Sequence, residues 1–219
     1  MTSGFEPALT SSLHCIDHLV WACPELQSGV DEASSLLGVT PMQGGRHPDW
    51  GSHNALLSLG PETYLEIIAS DPASPLSLDR RPVVFTSPGA GMLNGWVARH
   101  PDLEGAIDCA EKLGFPLGPA IHGRRTLADG RELSWVLTDP RKRHFDGLLP
   151  ILIDWGTSPH PAANAPEGCR LVDFRLRHPD SDALAAFLEG LGIPMLVEHG
   201  ESPKIKATIE TPSGPVALS

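Results

Sequence analysis

Glu66 is the most informative residue, because it interrupts Tyr-Leu-Glu-Ile-Ile (64–68), a segment that is otherwise apolar. An ionised carboxylate in such surroundings is costly unless it is paired, hydrogen-bonded or bound to a cation. It therefore reads as the partner of an arginine, a surface-facing position, a metal ligand or a general base. His18 lies in Ile-Asp-His-Leu-Val (16–20), where a strand histidine is by default a hydrogen-bonded core residue and otherwise a ligand. Arg46 and His47 stand in Gly-Gly-Arg-His-Pro (44–48), which reads as a loop able to close over a ligand. There the donor fork of Arg46 would grip a carboxylate or enolate. Asp154, Trp155 and His160 form a further group. Trp155 would wall an apolar pocket, Asp154 would orient a histidine, and His160, between prolines, is a pocket or linker residue.

The remaining histidines (His14, His100, His122, His144, His178, His199) show no ligand spacing. The chain has no H-x-x-x-H helix, phosphate-binding glycine loop, G-x-S-x-G elbow or dinucleotide fingerprint. The Arg141–His144 run is basic but short, and reads as a solvated loop. With 16 Lys and Arg against 27 Asp and Glu, the net charge is −11. That balance opposes binding to nucleic acid or to an anionic membrane surface. No apolar run is long enough to cross a bilayer. The first residues lack the basic and apolar regions of a secretory signal. Cys15, Cys23, Cys109 and Cys169 are scattered, as expected of free thiols in a reducing compartment. A cytoplasmic protein is the expectation.

Three segments share one pattern and would position these side chains. They start at Ile16, Asn94 and Val172. In each, a strand-like run ends at Pro24, Pro101 or Pro179, and an acidic residue follows (Glu25, Asp102, Asp180). Acidic groups suit the positive end of a helix dipole. Apolar residues then recur at helical spacing, as in Leu103, Ala106, Ile107, Ala110 and Leu113, until Gly38, Gly114 or Gly192 stops the helix. Strand-type alternation resumes beyond each glycine. Hairpin turns are expected at Gly60-Pro61-Glu62, Ala128-Asp129-Gly130-Arg131 and Pro212-Ser213-Gly214.

The expected fold class is α+β, built of tandem β-α-β-β-β modules with curved mixed sheets forming a half-barrel cleft, plus a third, shorter module. The expected organisation is a tail over 1–13, modules over 14–71 and 93–156, linkers over 72–92 and 157–169, and the third module over 170–219. Two modules make a closed cleft, so the third is expected to pack on an outer sheet edge or to pair with another chain, which is compatible with a homodimer.

The runs IDHLVWACPEL, GGRHPDWGSHNALLSLG, TYLEIIASDP and LLPILIDWGTSPHP resemble the glyoxalase-like domain proteins of the vicinal-oxygen-chelate superfamily. That superfamily includes glyoxalase I, extradiol dioxygenases and methylmalonyl-CoA epimerase. The resemblance implies metal ligands on the first and last strands of a module, which here are His18 and Glu66, with Tyr64 on the same strand face as Glu66. It implies a divalent ion (Fe, Mn, Ni, Co or Zn). The second module departs from the pattern, since Gly95 stands where His18 does, and Ile151 or Ile153 where Glu66 does. His53 would complete a two-histidine, one-carboxylate set, or bind substrate. The expected catalytic residues are Glu66, His53 and Arg46, with Tyr64, Asp154, Trp155 and His160 around the substrate. The implied activity is that of a lyase, isomerase or dioxygenase acting on a small carbonyl or enol compound chelated through neighbouring oxygens. The alternative is a metal-free protein that sequesters a small molecule in the same cleft.

Overall fold

A computed structural model describes residues 13–82, 90–126 and 132–219. The chain runs β1 (Ile16–Ala22), α1 (Leu26–Leu37), β2 (Met42–His47), β3 (Ser52–Gly60) and β4 (Thr63–Ser70). It continues with β5 (Met92–Arg99), α2 (Leu103–Lys112), β6 (Ile121–Thr126), β7 (Glu132–Leu137) and β8 (Ile151–Asp154). It closes with β9 (Arg170–His178), α3 (Ser181–Gly190), β10 (Val197–His199), β11 (Lys204–Thr211) and β12 (Gly214–Leu218).

The local signals act as their chemistry requires. Glu25 caps α1 by accepting hydrogen bonds from the Gln27 and Ser28 amides, and Asp102 caps α2 by accepting from Gly105. Gly38 ends α1 with φ of 71°, in the left-handed region that glycine enters at little cost. Pro61 and Glu62 join β3 to β4, and Pro212 and Ser213 join β11 to β12. The hairpin expected at Ala128–Arg131 lies outside the described residues.

The first two strand–helix–strand units build one curved, nearly closed sheet of eight strands in the order β2-β3-β4-β1-β5-β8-β7-β6. Each unit has its first strand parallel to its last (β1 with β4, β5 with β8), and the units join through the antiparallel pair β1–β5. The outer strands β2 and β6 approach where a Cβ on Gly45 would lie 3.2 Å from Arg125 Cδ. The inner face carries Val20, Ile68, Val97, Leu133, Trp135, Leu137, Ile151 and Ile153. The other face carries Leu19, Leu57, Leu65, Ile67 and Trp96, packed with α1 and α2 in the main core.

The third unit has the same succession of elements but a different pairing. Its four strands are ordered β10-β9-β11-β12, so the first strand lies between the second and third rather than beside the last. This sheet covers the outer face of the large one rather than extending its edge, because the apolar face of the third unit needs cover that edge pairing would not give. Phe174 on β9 packs against Trp96 on β5 at 5.1 Å between ring centroids, and both belong to one core. The short helical turn at Pro161–Asn164 closes the first module, with Ala162 and Ala165 against Leu56 and Tyr64.

Candidate functional site

The inner face of the curved sheet forms a cleft. His18, His47, Asn54, Tyr64, Glu66 and Arg125 line it together with Trp50, Trp135 and Trp155. The polar groups come from the first module and from β6. The second module otherwise supplies apolar wall, through Val97, Leu137, Ile151 and Ile153.

His18 and Glu66 are brought together. Val20 on β1 is paired with Glu66 on β4, so His18 and Glu66 stand diagonally on the same face. His18 Nε2 lies 3.7 Å from Glu66 Oε2, and the two residues are 6% and 5% exposed. Their other polar atoms are engaged. His18 Nδ1 lies 2.7 Å from Asp17 Oδ1, a carboxylate that can only accept, so the proton sits on Nδ1 and the lone pair is on Nε2. Asn54 Oδ1 accepts the Gly45 amide at 2.8 Å, and this fixes its Nδ2 as the donor to Glu66 Oε1 at 2.6 Å. The free atoms, Nε2 and Oε2, therefore face each other. Tyr64 stacks on His18 at 4.4 Å and holds the ring. Burial, then the charges of Asp17 and Glu66, push the Tyr64 phenol well above its usual range.

Asp17 is fully buried and carries the network. Its Oδ2 accepts from Trp155 Nε1 at 3.0 Å and from His160 Nε2 at 3.1 Å. His160 Nδ1 accepts from the Ala162 amide at 3.3 Å, which leaves its Nε2 as the donor. Burial alone would raise the Asp17 carboxyl. The hydrogen bonds from His160 and His18 outweigh it and hold the group well below the carboxylate range. Strict alternation would send Asp17 to the opposite face from His18. A register shift between Ile16 and His18 against β5 marks a bulge there, and bulges re-aim side chains. The same shift removes Ile16 from the face of His18 and places it in the outer core.

Several expected residues stand elsewhere. His53 belongs to the opposite face of β3, since the cleft takes Asn54 and Leu56 from that strand. It pairs with Ala69 on β4 and with Arg46 on β2, and it does not complete a ligand set with His18 and Glu66. Arg46 is not in a loop but on edge strand β2, with its side chain 61% exposed and bound to Asp71 at 2.6 and 2.8 Å. It does not line the cleft. Asp154 caps a turn by accepting the Gly156 amide at 2.8 Å, and orientation of the histidine falls to Asp17 instead. Tyr64 and Trp155 line the cleft as expected, and His160 reaches its edge through Asp17, with its ring 5.5 Å from Tyr64.

Sequence reasoning missed Asp17, Asn54, Arg125, Trp50 and Trp135 as site residues, and passed over His47. His47 lines the cleft, with Nδ1 3.1 Å from Ser52 Oγ. Burial pushes its imidazole below the ordinary histidine value, against the opposing pull of Glu66. The sole signal for Asn54 was a polar residue two positions before Leu56 in a buried strand.

The donor set suits a divalent ion in type and spacing. Two donors with bonds of about 2.0–2.2 Å to one ion stand roughly 3–3.5 Å apart, close to the observed gap between Nε2 and Oε2. A buried aspartate behind a ligating histidine is the usual outer support of such a ligand. No group of three or more His, Cys, Asp or Glu side chains among the described residues is placed to hold a metal. The fit is thus that of a two-donor site with the other positions left to substrate or water.

No helix of the described residues is long and apolar enough to cross a membrane. Among solved structures, a hypothetical protein from Staphylococcus aureus superposes with a TM-score of 0.65 at 12% identity, over 86% of this chain and 87% of that one. A methylmalonyl-CoA epimerase from Mycobacterium tuberculosis aligns at 17% identity over 71% and 93% of the two chains, with a TM-score of 0.43. A methylmalonyl-CoA epimerase solved with methylmalonyl-CoA and NH4+ aligns at 15% over 68% and 99%, with a TM-score of 0.44. At these identities the likeness is one of fold, and the S. aureus structure carries it. No curated protein matches the chain. The sequence model of the glyoxalase-like domain matches residues 16–192, well over half of the chain, and the chain therefore belongs to the glyoxalase-like domain family.

Proposed function

We propose that the cleft is the active site of a metal-dependent isomerase or lyase that moves a proton beside the carbonyl of a small substrate. The observation that carries this reading is the facing pair His18 Nε2 and Glu66 Oε2, 3.7 Å apart, with every other polar atom of the two side chains already engaged. His18 and Glu66 would hold the divalent ion, which when bound would supply Lewis-acid polarisation of a carbonyl and stabilisation of the negative charge developing on its oxygen. The protein does the rest. Asp17 keeps the His18 lone pair on Nε2, and Asn54 keeps Glu66 turned toward it. Trp50, Trp135 and Trp155 exclude water, which strengthens each electrostatic contact in the cleft. His47 is the proton acceptor: when Ser52 Oγ takes its Nδ1–H, Nε2 carries a lone pair, and the lowered pKa keeps the ring uncharged at neutral pH. The two-histidine, one-carboxylate set that redox iron favours is not assembled on these strands, because His53 faces away, and this weighs for proton transfer over dioxygen chemistry.

The test is metal content after incubation with Mn, Fe, Ni, Co or Zn salts and removal of excess. About one ion per chain is expected in the wild type, with loss in His18→Ala and in Glu66→Ala. The same samples, given small 2-oxo acids in D2O, should exchange the proton next to the carbonyl in the wild type only. A wild-type chain that takes up none of these ions would overturn the metal-dependent reading. The apolar walls from Val97, Ile151 and Ile153 would then favour a second reading, a metal-free protein that sequesters an apolar small molecule. In that case ligand affinity would be insensitive to chelator.

A further inference from the structure

Among the described residues Arg125 is the arginine that lines the cleft. Arg46 is paired with Asp71, Arg141 with Asp139, and Arg175 and Arg177 with Glu198. Arg99 lies beside Asp17 and Glu62, and Arg81 donates to backbone carbonyls. Arg125 enters the cleft from β6, and its Nε is buried with no hydrogen-bond partner among the described residues. Arg143 Nη1 and Arg177 Nε are likewise buried without a partner, but those side chains donate through Nη2 to the Asn94 carbonyl and to Glu198. A buried N–H donor without a partner is costly, and such a donor is kept where something else completes it.

The surroundings are shaped to leave it free. On β6 the inward positions are Gly123 and Arg125, and Gly123 faces Trp135 so closely that a Cβ there would meet the indole at 2.4 Å. The Trp135 indole therefore lies against β6 at Gly123. On β2, Gly45 has no side chain to block Arg125, whose Cδ and Nη1 would be 3.2 and 3.5 Å from a Cβ at that position. Arg125 lines the same cleft as His18, His47, Tyr64 and Glu66.

We propose that Arg125 anchors a carboxylate of the ligand, so that the cleft takes a small organic acid with an apolar or aromatic body. Nε and one Nη form a side-on fork that matches the two oxygens of a carboxylate. The body of the acid lies against Trp50, Trp135 and Trp155, and its far end reaches His18 and Glu66. The acid group is thus a second handle, separate from the oxygens that face the His18–Glu66 pair. The inference rests on the cleft being the substrate site, but not on a metal being bound there.

The test uses 3-phenylpropionate and 3-phenylpropionamide, which share a shape and lack a chelating pair of oxygens. Binding is read by tryptophan fluorescence and calorimetry on the full chain with chelator present. A charge-assisted bond contributes about 1.5–3 kcal/mol, so the wild type should prefer the acid by roughly 10- to 100-fold. Arg125→Gln should remove that preference while keeping the weak binding of the amide, which also reports an intact cleft. Arg125→Lys should keep part of the preference. A wild type that does not bind the acid, or binds both probes alike, sinks the proposal, as does an Arg125→Gln chain that keeps the preference. Absence of metal uptake would leave this measurement untouched, so the two readings fail separately.

Discussion

Asp17 decides what His18 can do. Its carboxylate accepts hydrogen bonds on both oxygens, from His18 on one side and from Trp155 and His160 on the other. In Asp17→Asn the remaining oxygen would stay with Trp155 and His160, and the amide N–H would face His18 Nδ1. That nitrogen must then accept, the ring proton moves to Nε2, and the metal-facing lone pair is lost. Metal affinity is expected to fall about 10- to 100-fold with the fold retained, as measured by titration followed by circular dichroism. Asp17→Ala leaves three buried donors unmatched and should destabilise the chain by about 3–5 kcal/mol. The same residue makes stability depend on acid. Its folded pKa lies below the unfolded value, so the contribution is present above about pH 4 and is lost as pH falls toward the folded value. Acid unfolding of Asp17→Asn should therefore be shallower than that of the wild type.

At the scale of elements, the site depends on strand register. His53 and Asn54 are adjacent, and the pleat sends one to each face of β3. The pairing Leu56 with Glu66 settles that Asn54 faces the cleft. The sequence showed that β3 was a strand and that β4 carried Glu66, because alternation and hairpin residues are local signals. It could not show which phase of β3 met Glu66, since register is a property of two strands together. The bulge at Asp17 was hidden for the same reason, being defined only against β5. Strand β2 was read as a loop because its two glycines lack strand propensity, yet they let the backbone approach Asn54. A Cβ on Gly44 would fall 2.1 Å from Asn54 Oδ1. Gly44→Ala should thus displace Asn54 and free Glu66, weakening metal binding by about tenfold with little change in Tm.

At the scale of the molecule, the repeat predicted three units and the elements within each. Their assembly was less legible. The first two join edge to edge and close around the cleft, whereas the third rearranges its strand order and covers the outer face. It finds its partner within the chain, so its hydrophobic face does not itself require a second copy. Phe174 is the anchor of that contact, buried against Trp96. Phe174→Ala should cost about 3–5 kcal/mol and lower Tm in thermal unfolding, while the acid-over-amide preference at Arg125 survives in the folded fraction.

The inner face of the large sheet is unequal between its halves, and this bears on how such a protein can change over time. Nearly all the reactive groups stand on the first module, while Val97, Ile151 and Ile153 of the second contribute only shape. A wall of apolar side chains is not bound to preserve the placement of polar groups. Exchanges among apolar residues at these three positions would retune which molecule fits without disturbing His18, Glu66 or their supports, so a lineage can wander between substrates while inheriting one reaction.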